Sequence, residues 1–504
     1  MEKKYIMGID QGTTGSRVLF FDQNAEMVSL AYKELTQIYP KPGWVEHDPM
    51  EIWTSVEACM HEAMAKGNIK FEEIAGVGMT NQRETAVMWY KDSGKPVYNA
   101  IVWQSRQSTP ICDQWIAEGK GPIVQQKTGL SIDAYFSASK CNWIIDNVPG
   151  VKEEVLKGNV CFGNVDSWLY WNFSKGGTYA EDASNCSRSM MYNINTCEWD
   201  KELIHDIYGL PEELNFPKAV PCIGILGYTH PDVTGGVEIP FGGGFGDQQA
   251  GTFGQTAFEA LTGKCTYGTA GVIDINIGDK VVLNNDGIPT TLGWLIDGKP
   301  TYLQEAVTFN CGAMIQWLRD GLKILPSAPE SGPIAESVPD TKDVYVVPAN
   351  NGLFSPWIDP YARTTFVGIT GGVTEAHIIR ATLEGIAFSM TDCVRATEKA
   401  LGKKLASLNL DGGACKSDFM MQFQADMFGF PLNRPKQIEM TALGAAYAGG
   451  IGVGFWPSME YVKKFWELDR TFEPKMSEDE RETRYAQWLR AVRRAKDWAD
   501  TSKP

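Results

Sequence analysis

Apolar residues run almost unbroken from Tyr5 to Ile9, stop at Asp10, and resume from Val18 to Phe21. Runs this short predict two buried strands around a Gly- and Thr-rich turn, a β-hairpin. A polar loop follows, and then Asp48-Pro49-Met50-Glu51 supplies an N-cap, a proline at the first helical position and an acidic third residue. The predicted helix runs to about Gly67, and Ile52, Val56, Cys59 and Met60 share one face, so it docks on a sheet. Residues 74–79 read as a short buried strand that ends in the polar cluster TNQRET, before a further strand at 86–90. Residues 100–106, AIVWQSR, read as another strand ending in polar groups.

The pattern then repeats. Residues 265–277 form a second strand–turn–strand with Gly-Thr at the turn, and residues 408–414 form a strand ending in the acidic, Gly-rich turn DGGA. Residues 374–401 are long and amphipathic, a counterpart of the first capped helix. Two halves that each carry hairpin, helix and strand-turn units predict a duplicated α/β architecture facing a cleft, divided near Gly254. Between them, residues 218–244 are Gly- and Pro-rich and lead into Gly246-Asp247-Gln248-Gln249, a carboxylate and two amides among glycines. An Asx turn is the ordinary reading of such an aspartate.

At 504 residues the chain exceeds one core, so two large domains are expected. A formal net charge of −16 without a Lys/Arg-rich tract argues against a nucleic-acid partner. The N-terminus lacks an apolar run of signal-peptide length, and no segment has membrane length. The 11 cysteines include no CxxC pair, so free, mostly buried thiols in a cytoplasmic protein are expected.

The first hairpin carries candidate chemistry. Gly12 permits close backbone approach, Thr13, Thr14 and Ser16 offer hydroxyls, and Arg17 brings a positive charge. Backbone N–H groups in such a turn can nest an anion, and Asp10 at the strand end suits Mg²⁺ held through water. An ordinary hairpin with a polar turn fits the same residues. No Walker A sequence is present. Arg83 and Glu84 lie just after a buried strand, where open α/β sheets place ligands.

Several motifs in order, DQGTTGSR from Asp10, PGWVEHDP from Pro42, TNQRET from Thr80, AIVWQ from Ala100, GDQQAGTFGQ from Gly246, TYGT from Thr266, DPYAR from Asp359, DGGA from Asp411 and TALGAAYAGG from Thr441, resemble the FGGY carbohydrate kinases over nearly the whole chain. The resemblance implies two actin-like (ribonuclease H-like) ATPase domains facing a central cleft, residues 1–254 with the polyol pocket and residues 255–504 with the nucleotide site. It implies ATP and Mg²⁺ as cofactors, a small-molecule polyol as partner, and a homodimer or homotetramer. It casts Arg83, Glu84, Trp103, Tyr135, Asp247 and Gln248 as the polyol pocket, with Asp247 as catalytic base. Thr13, Thr14, Ser16, Arg17, Thr269, Gly312, Gln316 and Gly413 become nucleotide contacts, and Asp10 the magnesium-linked carboxylate. The implied activity is phosphorylation of a terminal hydroxyl of glycerol; the alternatives are a kinase of a larger polyol or ketose, and an actin-like ATPase switch.

The chain departs from the glycerol-phosphorylating pattern at several positions: Gly15 and Ser417 replace Ser and Asn, Ala306-Val307 replaces Gly-Ser, and Val272 replaces a substrate-packing Phe. The loop at 229–241 has no Lys or Arg, so control by fructose 1,6-bisphosphate is not expected, and His230 reads as a surface histidine.

Overall fold

The computed structural model describes residues 2–437 and 439–499. Its frame is two mixed sheets built alike. In the first, the Tyr5–Gln11 strand pairs antiparallel with Gly15–Phe21, which pairs antiparallel with Met27–Glu34. On its other side Tyr5–Gln11 runs parallel to Ile74–Asn81, then parallel to Pro240–Gly246, with Ile223–Tyr228 antiparallel at the edge. In the second sheet, Gly263–Tyr267 takes the place of the first strand, followed by Gly271–Gly278 and Lys299–Thr308 on one side. On the other side lie parallel Leu408–Asp411 and Leu432–Pro435, and antiparallel Leu468–Phe472. Strand Thr290–Ile296 extends this sheet beyond its counterpart. The duplication expected from the hairpins is therefore a duplication of strand order and direction, that of ribonuclease H-like units.

The helices follow local chemistry. Helix Pro49–Gly67 starts where Asp48 accepts the Met50 N–H at 2.8 Å. Glu51 does not close a capping box; it accepts from the Thr36 N–H and hydroxyl instead. Helix Glu375–Leu401, capped by Thr374, is its counterpart in the second half.

Two expectations need correction, for residues 100–106 and for Asp247. Only Ala100–Ile101 of the 100–106 segment is strand, paired with Glu46–His47, and the chain turns before Trp103. The 218–244 region holds three strands, Lys218–Val220, Ile223–Tyr228 and Pro240–Gly246. Four of the seven residues of the last strand are glycine, where helix Met440–Gly452, itself Ala- and Gly-rich, lies against it in backbone contact. Asp247 does not sit in an Asx turn but opens helix Asp247–Gly254.

Each half lends a helix to the other. Met440–Gly452 follows the last parallel strand of the second sheet yet packs over Tyr5–Gln11, Ile74–Asn81 and Pro240–Gly246 of the first. Asp247–Gly254 follows the first sheet, packs along Met440–Gly452, and reaches Gly263–Tyr267 and Gly271–Gly278. The approach demands glycine: a Cβ on Gly78 would lie 1.8 Å from the Ala445 carbonyl, and one on Gly444 1.8 Å from that of Ala250.

Residues between Ile74–Asn81 and Ile223–Tyr228 form an excursion with a separate apolar core, including Met88, Ile101, Trp115, Leu130, Phe136, Ile144 and Phe162. All 11 cysteines are free thiols, ten of them buried. Among the described residues no helix is long and apolar enough to cross a membrane.

Candidate active site

Three parallel strands of the first sheet end side by side. Gln11, Asn81 and Gly246 are in register, so Asp10, residues 82–84 and Asp247 emerge at one edge. The carboxyl termini of parallel strands are where such sheets bind ligands.

Glu84 has a φ of +60°, a strained backbone for a side chain of this size. Its carbonyl accepts from Lys140 Nζ at 2.8 Å and from the Ser137 hydroxyl at 3.1 Å. Lys140 also donates to the Tyr135 carbonyl at 2.6 Å. This one buried ammonium, pushed down to about 7 by burial against the opposing effect of the Glu84 carboxylate, ties two pocket residues together.

The Arg83 guanidinium is buried. Nη1 donates to Glu305 Oε2 at 2.6 Å and to Gln249 Oε1 at 3.2 Å. Nε is ion-paired with Asp247 Oδ1 at 2.9 Å, without hydrogen-bond alignment. Glu84 Oε1 accepts from Arg188 Nε at 2.5 Å, and Arg188 Nη2 donates to Glu305 Oε1 at 3.0 Å. Burial alone would raise the Glu305 carboxyl, but Arg188 and Arg83 hold it well below the usual carboxylate range. Burial pushes Glu84 up, with Arg188 and Arg83 opposing.

Asp247 is about one-third exposed, and its Oδ1 accepts the Gln248 N–H at 2.7 Å. Gln248 Oε1 accepts from Lys264 Nζ at 2.7 Å, and Lys264 is paired with Asp274 at 3.0 Å. Trp103 and Tyr135 meet edge to face with ring centroids 5.4 Å apart. Trp103 Nε1 donates to the Thr13 hydroxyl at 2.9 Å, which joins the aromatic wall to the turn of the first hairpin.

That turn is braced from behind. Gln37 Nε2 donates to the Thr13 carbonyl at 2.9 Å, Gln37 Oε1 meets His47 at 3.0 Å, and His47 meets Gln82 at 3.3 Å. The Ser16 hydroxyl faces inward onto Ser55 at 2.7 Å, which leaves only its backbone for a ligand. Arg17 crosses to Glu439 at 3.2 Å, at the start of helix Met440–Gly452. Asp10 is paired in register with Arg17 and Thr80, and among the described residues nothing donates to its carboxylate. Burial pushes that group up to about 6, with Arg17 opposing and Asp247 and Glu439 adding to the rise. Two half-buried carboxylates at this edge, Asp10 and Asp247, are the hard oxygen donors that Mg²⁺ prefers.

In the second half the turn after Tyr267 is the gathering point. The Gly312 N–H donates to the Gly268 carbonyl at 2.9 Å and Ala313 N–H to that of Thr269 at 3.1 Å. This seats the start of helix Gly312–Asp320, which carries exposed Gln316. Gly412, at φ +84°, lies against Tyr267, where a Cβ would come within 2.6 Å; Gly413 beside it is open. Thr269, Gly312 and Gly413 thus surround one turn. His230 is half-buried at the surface, beside Asp232.

Sequence reasoning did not single out Lys140, Lys264 or Glu305 as site residues. Arg188 ends the polar stretch DASNCSR at 182–188, and Glu305 precedes the Ala306-Val307 departure. All four are charges within or beside apolar stretches, and buried charges require partners; that is the signal that marks them.

The duplicated ribonuclease H-like units with carboxylates and phosphate-type turns at their edges define a two-domain ATPase-like fold. Residues 5–254 match the N-terminal domain, and residues 263–453 the C-terminal domain, of the FGGY family of carbohydrate kinases. The chain belongs to that family and is a carbohydrate kinase. It is 50% identical over 497 residues to the glycerol kinase of Caldanaerobacter subterraneus subsp. tengcongensis, covering 99% of each chain. It is 48% identical to glycerol kinase 2 of Thermotoga maritima, covering 98% of this chain and 99% of that one. A crystal structure of Plasmodium falciparum glycerol kinase with ADP superimposes with a TM-score of 0.93 at 33% identity, covering 98% of this chain and 99% of that one. A xylulose kinase from Lactobacillus acidophilus shares the fold, with a TM-score of 0.86 at 22% identity over 97% of each chain.

Proposed function

We propose that this kinase transfers the γ-phosphoryl group of ATP to a terminal hydroxyl of glycerol, giving glycerol 3-phosphate and ADP. The observation that carries the reading is the Trp103–Thr13 hydrogen bond at 2.9 Å. It sets the Trp103–Tyr135 aromatic pair directly against the turn suited to phosphate. Arg83 and Glu84 offer a donor and an acceptor to adjacent hydroxyls, Trp103 and Tyr135 cover the carbon edge, and Gln248 adds an amide. Asp247 accepts the hydroxyl proton as the bond to phosphorus forms.

Phosphoryl transfer passes through a loose transition state, so positioning and charge stabilisation carry the catalysis. Residues 1–254 supply the polyol pocket and first phosphate turn, and residues 255–504 the nucleotide side, through Thr269, Gly312, Gln316 and Gly413. Thr13, Thr14, Arg17 and the backbone of Ser16 serve the phosphates. Asp10 would hold Mg²⁺, which would supply charge neutralisation on the transferred group. Closure of the halves excludes water and limits ATP hydrolysis.

A second reading, a longer polyol or ketose, rests on Val272. It pairs with Val307 two residues along from the Asp274–Glu305 pair, on the same face of the sheet. That places a small aliphatic residue next to the Arg83 cluster. A coupled ADP-release assay over glycerol, erythritol, xylitol and xylulose decides between the two. ATP turnover that needs no added polyol would instead favour a nucleotide-driven switch.

A further inference from the structure

Glu305 stands on strand Lys299–Thr308 of the second sheet, yet both its carboxylate oxygens are spent on the first half of the chain. Oε2 accepts from Arg83 and Oε1 from Arg188, at 2.6 and 3.0 Å. All three side chains are at least 96% buried. Arg188 in turn holds Glu84, so a continuous chain of charges runs Arg83–Glu305–Arg188–Glu84 and begins and ends on the two residues offered to the polyol. Without the carboxylate at its centre, two guanidinium groups would face each other in a low-dielectric interior, where repulsion is strong. With it, Arg83 Nη1 is taken and its fork has one orientation. Among the described residues no protein acceptor is bonded to Nη2, which leaves that nitrogen for a hydroxyl.

The second sheet makes one more such contact. Lys264 reaches across to Gln248 and is itself held by Asp274, which faces Glu305 across the strand pair. The floor under the pocket therefore belongs to the second half, while the groups that face the polyol belong to the first.

We propose that Glu305 is a positioning residue for polyol recognition: by accepting from Arg83 and Arg188 together it fixes the orientation of Arg83 and, through Arg188, of Glu84. The inference rests on the polyol reading of the site. A carboxylate that holds both arginines needs full side-chain length, so Asp is too short to reach both and Gln offers one acceptor and an unwanted donor.

The test is steady-state kinetics of the full chain and of Glu305→Asp and Glu305→Gln, with glycerol and ATP each varied, alongside thermal unfolding. The expected result is a rise in KM for glycerol of about tenfold or more, the size of a lost charged hydrogen bond. KM for ATP should stay within about twofold, a split that general damage to the fold would not produce. If Glu305→Gln fails to fold, Glu305→Asp, which keeps the buried charge, carries the comparison. Either folded variant keeping the parent's KM for glycerol would overturn the inference while leaving the polyol reading intact. A parent chain that releases no ADP in response to any polyol would overturn that reading, and this inference with it.

Discussion

Arg83, just past a strand of the first sheet, and Glu305, on a strand of the second, are separated by 222 residues, yet their buried side chains meet at 2.6 Å. The contact means that the pocket is not a property of the first half alone. On its open side the same guanidinium lies 2.9 Å from Asp247, the carboxylate we propose as the base.

Asp247→Asn keeps the shape of the helix start and removes the proposed base. Phosphorylation should fall by roughly 10²- to 10⁴-fold, with ATP binding retained. Single-turnover assays and nucleotide titration measure the two separately; near-parental turnover would show that another group takes the proton.

Val272→Phe should narrow the pocket beside the Asp274–Glu305 pair. An apolar wall discriminates by about 1–3 kcal/mol per methylene-sized change, so kcat/KM for glycerol over erythritol and xylitol should rise. Unchanged ratios in a parent that already rejects the longer polyols would remove the larger-pocket idea.

Fructose 1,6-bisphosphate should inhibit weakly. A bisphosphate needs charge-assisted partners, and residues 229–241 offer no Lys or Arg. Strong inhibition at millimolar effector would place the site on another surface.

His47 is buried and neutral, pushed down to about 4 by burial. Its folded value lies below the unfolded one near 6.5, so its contribution is fully present above about pH 6.5 and is lost as pH falls toward 4. At two to three pH units this amounts to about 3 kcal/mol. Denaturant midpoints measured from pH 7 to pH 4 should fall more steeply for the parent than for His47→Gln.

Gly78→Ala should destabilise the chain, because the added methyl meets the Ala445 carbonyl at 1.8 Å. Overpacking costs about 1–3 kcal/mol, and a backbone neighbour cannot rotate away, which favours the upper end. A melting temperature equal to the parent's would mean that helix Met440–Gly452 can lift off the sheet cheaply.

What the sequence determined by itself was local or repeated. Apolar runs of strand length, the Asp48-Pro49 helix start and the two Gly-Thr turns announced the paired halves, because period and turn chemistry depend on neighbours in the chain. Arg83 and Glu84 stood out because they follow a buried strand, whereas Trp103 and Asp247 entered through the family resemblance. Tertiary structure decided the rest. Strand Pro240–Gly246, with four glycines in seven residues, shows only Phe241 and Phe245 as an apolar signal; its pairing follows from the close approach of a helix some 200 residues later. The inward turn of Ser16 depends on Ser55, and the exchange of helices between halves depends on small residues meeting across the domain boundary. Lys140, Arg188, Lys264 and Glu305 look like ordinary charges in the chain. Only burial forces each to find a partner, and where that partner lies depends on how the two sheets are packed together.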